Sequence, residues 1–151
     1  MPDIDHLFPV RIQRTRAGVA RAYARAQSFD VASQASVRET DDAPSAVEYV
    51  LGALGGDLVI GFERAAEGQG VSLHAIEISL NGRLDNILTH LGVIGEQGHP
   101  GLAAIDGTAY IGSDADESEV HRAWQRTLDR SPLYQTFTRC AAVTITVKVV
   151  R

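Results

Sequence analysis

Apolar residues in the first 35 positions recur at short intervals and are separated by polar residues. Between Val10 and Ala35 they come singly or in pairs, and the segments Arg-Ala-Gly and Ser-Phe-Asp between them suit turns. This pattern predicts a curled antiparallel meander of short strands, whose arginines lie on the solvated face unless some of them point into a pocket. A loop rich in acidic residues is expected from Arg38 to Pro44.

The longest apolar segment follows this loop and predicts a helix. Ser45 and Glu48 form the S-x-x-E pattern of a capping box, and the helix is expected to end near Gly68 or Gly70. Its apolar residues cover nearly the whole circumference, which is typical of a helix buried on all sides. Four glycines each cost helix propensity of order 1 kcal/mol relative to alanine, and so indicate close approach by another backbone, such as a second copy of this helix. They are Gly52, Gly55, Gly56 and Gly61.

The second half of the chain predicts strands and helices in turn. Val71 to Leu80 alternates as a strand does, and Asn81–Gly82 is expected to be a turn. After an irregular connection, two further strands are predicted at Ala103 to Ile111 and at Ala142 to Val150. A helix between them starts at Ser113-Asp-Ala-Asp and ends or restarts at Ser131–Pro132. There is no internal repeat or linker, so we predict one α+β domain over residues 1–151.

Composition narrows the classes of partner. The chain has 151 residues, 44% of them hydrophobic, which suits a single globular domain. A net charge of −5 argues against a nucleic-acid or anionic-membrane surface. The longest apolar stretch is too short and too glycine-rich to cross a bilayer. The opening MPDIDHLFPV lacks the basic stretch and apolar run of a secretory signal, so we expect a cytoplasmic protein.

The only cysteine, Cys140, excludes a disulfide within one chain and an all-cysteine metal site. It is expected to open the last strand as a small buried residue. The five histidines have no spacing typical of metal ligands. We therefore predict no metal and no cofactor.

Asp57 is the leading candidate for a functional side chain. It lies three residues after Leu54 in the predicted helix and shares its face. A carboxylate there must be paired, hydrogen-bonded, protonated or open to a cavity. Two interpretations remain open: a buried acid bonded to a strand or to one of the arginines between positions 11 and 25, or the acid of a pocket. Glu48 has a complete structural role in the capping box, and Ser131 precedes a proline where caps are common.

Two segments of the chain resemble the signature segments of the OsmC/Ohr-like family, the osmotically inducible and organic hydroperoxide resistance proteins. APSAVEYVLGALGGDLVIGF is similar to the acid-capped Ala-Leu-Gly-Gly helix that carries the reactive cysteine of that family, and DRSPLYQTFTRCAAVTITVKVV is similar to its Cys-Pro-Val-x-x-Thr-Leu segment. The segments between them look like the family's middle strands and second helix. The resemblance implies an OsmC-like fold, in which curled antiparallel sheets pack on a long buried central helix and a second helix in an intertwined homodimer.

The resemblance also implies positions for a site at the subunit interface. In that family the first cysteine attacks an organic hydroperoxide and the second resolves the sulfenic acid as a disulfide, with help from a glutamate and an arginine. Carried over by position, the first cysteine falls on Asp57, the second on Ser131 and the glutamate on Glu48. Candidates for the arginine are Arg14, Arg16 and Arg21. Positions that form a disulfide have Cα atoms within about 7 Å, so we expect Asp57 and Ser131 within hydrogen-bonding or one-water distance.

Three functions follow from these observations. In the first, the protein has lost thiol peroxidase activity and binds a small, largely apolar ligand, with Asp57, Ser131 and Leu54 around it. The second is a repurposed enzyme with Asp57 as general base. The third is the peroxiredoxin-like reduction of organic hydroperoxides in oxidative stress, as in the parent family, through Cys140, which lies nine residues after the position of the second cysteine.

Overall fold

The computed structural model describes residues 6–33 and 43–151. They belong to two compact units, residues 1–49 and residues 50–151. Most of the predicted loop from Arg38 to Pro44 lies outside the described residues. No helix in the described part of the chain is long and apolar enough to span a membrane.

The first unit contains the predicted antiparallel meander, but the turn predicted at Ser-Phe-Asp is wrong, because Ser28 to Asp30 lie within a strand and pair with its neighbour. Its strands are β1 (Arg11–Arg16), β2 (Val19–Ala24) and β3 (Gln27–Ala32), with β2 in the centre. Gly18 turns the chain between β1 and β2 with a φ of +71°, a backbone conformation that glycine adopts without strain. Arg21 on β2 faces Asp30 on β3 and donates to both of its carboxylate oxygens, at 2.6 and 2.9 Å. The prediction that the arginines lie on a solvated face is confirmed for those of β1, because this strand is exposed along its whole length.

The capping box is confirmed at the start of helix α1 (Ala46–Gln69). The backbone N–H and the hydroxyl of Ser45 each donate to Glu48 at 2.7 Å, and the N–H of Glu48 donates back to the Ser45 hydroxyl at 3.4 Å. These bonds from the Ser45 backbone and side chain hold the pKa of Glu48 below its usual range. The helix ends as predicted, because Gly70 takes a φ of +68° and lets the N–H of Val71 bond back to Ala66.

Within one chain, α1 is buried along one stripe and not on all sides. The buried residues recur every fourth position and are Leu54, Leu58, Phe62 and Ala66. Ile60, on another face, is 52% exposed. Of the four glycines, Gly61 closely approaches Thr127, whereas nothing lies within 4 Å of a Cβ built at Gly52 or Gly56. The expectation of a helix buried all round is therefore not met by the described residues of a single chain.

The second unit places helices against one face of a three-stranded sheet. The strands are β4 (Ala75–Leu84), β5 (Leu102–Gly112) and β6 (Ala142–Val150), and the helices are α2 (Ile87–His90), α3 (Glu117–Arg130) and α4 (Pro132–Phe137). The stripe of α1 packs in one core with Ile105 and Ile111 of β5 and Val120 and Trp124 of α3.

Three details of this unit differ from the sequence-based expectations. β5 and β6 run parallel, because α3 and α4 form the crossover that a parallel pair requires. Asn81–Gly82 is not a turn: both residues continue β4 and pair with Asp106 and Ile105. Cys140 is neither buried nor in a strand, since it lies exposed in the turn after α4, with its N–H bonded to Phe137.

Candidate functional site

Asp57 and Ser131 meet through their side chains, as predicted. The hydroxyl of Ser131 donates to a carboxylate oxygen of Asp57 at 2.5 Å. Asp57 lies half-buried in the middle of α1, and Ser131 is 4% exposed. Residues 74 positions apart in the chain thus form one polar pair at the edge of the core.

Ser131 is held in place by the junction of α3 and α4. Its backbone N–H donates to Thr127, the last buried residue of α3, at 3.0 Å. Its hydroxyl also accepts from the N–H of Tyr134 at 3.0 Å, so it caps α4, and Pro132 follows at the first position of that helix. The bond from the Tyr134 N–H and the bond to Asp57 together favour the side-chain orientation in which the Ser131 hydroxyl points at Asp57.

A close helix crossing brings the two residues together. A Cβ at Gly61 would meet the methyl group of Thr127 at 3.1 Å, so the glycine lets α3 approach α1 closely. Asp57 lies four residues before Gly61 on α1, and Ser131 lies four residues after Thr127, just past the end of α3. The two contacts therefore show that α1 and α3 run antiparallel here.

The pair opens into a pocket of about 410 Å³ between α1 and α3. This volume lies near the lower end of the range for small-molecule sites, roughly 300–1,000 Å³. The lining combines apolar or small residues with four charged side chains. They are Asp57, Ile60, Gly61, Arg64, Ala65, Gly68, Arg126, Thr127, Arg130, Ser131 and Pro132.

The charges in this lining are not balanced within the pocket. Three arginines and one aspartate give +3 − 1 = +2, on a chain whose net charge is −5. Asp57 receives the Ser131 hydroxyl, and among the described residues it has no ion pair. Arg64, Arg126 and Arg130 are exposed, and no residue in the described part of the chain makes a hydrogen bond or an ion pair with their side chains.

The other residues proposed from the sequence lie elsewhere. Leu54 is 0% exposed in the core and does not line the pocket. Glu48 sits in the first turn of α1, engaged with Ser45, and Arg21 pairs with Asp30. Cys140 is exposed, and its S–H lies 3.5 Å from the carbonyl oxygen of Phe137, outside this lining. Of the residues proposed from the sequence, the structure thus brings together Asp57 and Ser131.

Sequence reasoning missed the three arginines of the pocket. Arg64 follows Asp57 by seven residues, two helical turns, and so shares its face. Arg126 and Arg130 are four apart and lead directly into Ser131. These spacings were the available signal, but which helix faces α1 depends on tertiary packing.

No group of three metal-binding side chains occurs among residues 6–33 and 43–151.

Comparison with known proteins gives one family and several similar folds. Residues 39–147 match the family model described as OsmC-like protein. An OsmC-like protein from Mycoplasma pneumoniae has a TM-score of 0.84 at 14% identity, over 98% of this chain and 100% of that one. An organic hydroperoxide resistance protein from Legionella pneumophila has a TM-score of 0.72 at 12% identity, over 97% and 100%. The organic hydroperoxide resistance protein OhrB of Bacillus subtilis has a TM-score of 0.63 at 14% identity, over 95% and 98%.

These identities are low enough that the solved structures show the likeness of fold alone. No curated protein sequence matches this chain.

Proposed function

This chain belongs to the OsmC-like family, and from that premise we propose that it binds a small, largely apolar molecule in the pocket beside Asp57 and Ser131 and has lost thiol peroxidase activity. The observation that carries the proposal is the 2.5 Å hydrogen bond between these two side chains at the pocket wall. By resemblance, they stand where the family has its two reactive cysteines. The pocket of this chain would then lie where the family has its active site, without the redox chemistry of the two cysteines.

The loss of peroxidase activity follows from the chemistry of the two side chains. Peroxide reduction by a cysteine pair needs a thiolate that becomes a sulfenic acid and a thiol that resolves it as a disulfide. A carboxylate and a hydroxyl cannot pass through these states. Cys140 is exposed in the turn after α4 and does not line the pocket, so it has neither a resolving partner in the chain nor the shelter of the site.

The shape and lining of the pocket support binding. Ile60, Ala65 and Pro132 supply apolar surface, while the polar groups are few and are placed at defined positions, as in small-molecule sites generally. The Asp57 carboxylate can still accept a hydrogen bond, because the Ser131 hydroxyl occupies one of its several lone-pair positions.

Binding can be tested with N-phenyl-1-naphthylamine, a neutral apolar fluorophore. Gly68 lines the pocket, and a Cβ there meets nothing within 4 Å, so Gly68→Phe should fold and fill the space. We expect it to weaken binding of the fluorophore at least about tenfold. Gln69→Phe is the matched control, because Gln69 is the next residue, is exposed and does not line the pocket. Equal affinities for the two variants, or no binding by the wild type, would refute the proposal.

The same hydrogen bond favours a second candidate, an enzyme with Asp57 as general base. The Asp57 carboxylate accepts a hydrogen bond from a hydroxyl and so lies within the distance at which a general base acts. The two candidates differ in turnover. Asp57→Asn keeps the shape and removes the base, so an enzyme would lose turnover of a bound molecule while still binding it.

We also propose a homodimer, in keeping with the resemblance. Apolar side chains stand exposed around α2, and Ile94 is 100% exposed. The others there are Ile87, Leu88, Leu91 and Val93.

A cytoplasmic location remains part of the proposal and suits a chain with a single cysteine and no possible internal disulfide.

A further inference from the structure

We propose that the ligand of this pocket carries an anionic head group, a carboxylate or a phosphate monoester, which Arg64, Arg126 and Arg130 hold. This inference rests on the proposed function, since it names the ligand class of the same site. Three arginines line one pocket of about 410 Å³, and none has a partner in the described part of the chain.

The lining of the pocket carries an excess of positive charge. Arg126 and Arg130 are four residues apart on α3, where side chains of a helix are neighbours, and like charges at this spacing destabilise a helix. Arg64 adds a third positive charge from the facing helix. An anion between them would relieve this repulsion and receive charge-assisted hydrogen bonds from planar guanidinium groups, which match the geometry of carboxylate and phosphate.

Neighbouring acids do not neutralise these arginines. The acidic residues within three positions of them in sequence, Glu63, Glu67 and Asp129, are exposed and do not line the pocket. Asp129 accepts instead from the side-chain amide of Gln125 at 2.9 Å. By contrast Arg122, on the same helix but outside the pocket, has Glu119 at 3.9 Å. The pocket arginines thus differ from an arginine on the ordinary surface of α3.

Asp57 and Arg64 lie at different positions along the groove. Asp57 and Arg64 are seven residues apart, which is about 10.5 Å along a helix. The antiparallel crossing places Asp57 beside Ser131 at one end, with Ile60, Gly61 and Ala65 lining the groove alongside Arg64. Repulsion between the Asp57 carboxylate and an anion at Arg64 is largely screened over about one Debye length. Arg130 directly precedes Ser131 and so starts at the Asp57 end, and its side chain has to extend along the groove toward Arg64 and Arg126. The groove therefore accepts an amphiphile with its anionic head at Arg64.

Four probes with the same eight-carbon chain separate charge from apolar contact: octanoate, octyl phosphate, 1-octanol and octylamine. Binding to the full chain is measured by isothermal titration calorimetry and by amide chemical shifts. We expect octanoate or octyl phosphate to bind at least about tenfold more tightly than 1-octanol, with octylamine weaker still. Comparison of the two anions then shows whether the head group is a carboxylate or a phosphate. Affinity for the anion should fall as salt is raised.

Variants of single arginines locate the effect. Arg64→Gln, Arg126→Gln and Arg130→Gln should each weaken the preferred anion several-fold, about threefold to tenfold, and leave 1-octanol unchanged. Arg122→Gln is the matched control on α3 and should change neither. All four side chains are exposed, so the fold should tolerate each change.

The outcomes separate this inference from the proposed function. If 1-octanol binds as tightly as the anions, or octylamine binds best, the anionic head group is wrong and the apolar pocket stands. The inference is also wrong if the pocket variants and Arg122→Gln behave alike. If neither the four probes nor N-phenyl-1-naphthylamine bind, the proposed function itself fails.

Discussion

Ser131 links three parts of the second unit through one hydroxyl and one N–H. The hydroxyl donates to Asp57 and accepts from Tyr134, and the N–H closes the end of α3 on Thr127. Sequence alone identified Ser131 as a cap, and resemblance to a disulfide-forming family predicted its closeness to Asp57. Both expectations are confirmed by the contacts. The pocket arginines were missed, because a spacing on one helix does not tell which helix it faces.

Removing the Ser131 hydroxyl should destabilise the protein. Ser131→Ala loses the cap of α4 and leaves a half-buried carboxylate without its donor, so the free energy of unfolding should fall by about 1–2 kcal/mol. Urea unfolding measures this change. Thr138→Ala is the control, because the exposed Thr138 hydroxyl bonds, among the described residues, within its own turn, to Gln135 at 3.3 Å. A loss for Ser131→Ala no larger than that for the control would contradict the account.

The pair of Arg21 and Asp30 should make the stability of the fold depend on pH in the acidic range. The hydrogen bonds from Arg21, and then its charge and that of Arg16, lower the pKa of Asp30. The unfolded value for an aspartate is about 3.9. The pair therefore stabilises the folded chain above that pH, and this stabilisation is lost as the pH falls through the lower pKa of the folded state.

Carboxyl titration by NMR can test the pair directly. We expect the pKa of Asp30 below about 3.9 in the wild type and close to that value in Arg21→Gln. Arg14→Gln is the control, since Arg14 lies on exposed β1 opposite Ala20 and should leave the titration unchanged. An unchanged Asp30 titration in Arg21→Gln would show that the pair does not form in solution.

At the scale of elements, tertiary packing decided what local signals could not. Asn81–Gly82 has the sequence of a hairpin turn, yet β4 continues through it because β5 offers partners as far as Leu102. Similarly, the pattern of β6 could not show its direction, which depends on the crossover by α3 and α4. Helix α1 was predicted closely, since its capping box and its terminal glycine act locally.

Gly107 holds β4 and β5 at pairing distance. A Cβ at this position would overlap the carbonyl oxygen of Ser79, which is backbone and cannot move aside. Gly107→Ala should therefore lower the free energy of unfolding by more than about 2 kcal/mol. Gly68→Ala, where a Cβ meets nothing within 4 Å, should cost nothing and can add up to about 1 kcal/mol of helix propensity. Thermal or urea unfolding compares the two, and similar stabilities would count against the β4–β5 register.

At the scale of the whole molecule, the sequence indicated more burial than one chain provides. The apolar residues of α1 surround the helix, but the described residues of a single chain cover only the stripe that contains Leu54, and Ile60 stays half-exposed. The glycines at 52 and 56 likewise face open space. A second copy is the covering that the resemblance implies, and sequence patterns cannot show where it would sit.

We therefore predict a stable homodimer. Sedimentation equilibrium at micromolar concentration should give twice the chain mass of 16.2 kDa. Ile94→Asp, which charges a fully exposed apolar side chain, would weaken the dimer if this surface takes part, whereas Glu96→Asp nearby keeps the charge and serves as control. A folded, stable monomer at that concentration would show that one chain suffices.

The central claim is that an OsmC-like scaffold is present here without the thiol chemistry of a cysteine pair. The most direct test is the consumption of cumene hydroperoxide by the purified wild type with a dithiol reductant, measured beside Cys140→Ser. We predict no consumption above the uncatalysed background for either protein. Turnover by the wild type at about 1 per second or faster, typical of enzymes, and its loss in Cys140→Ser, would contradict the claim.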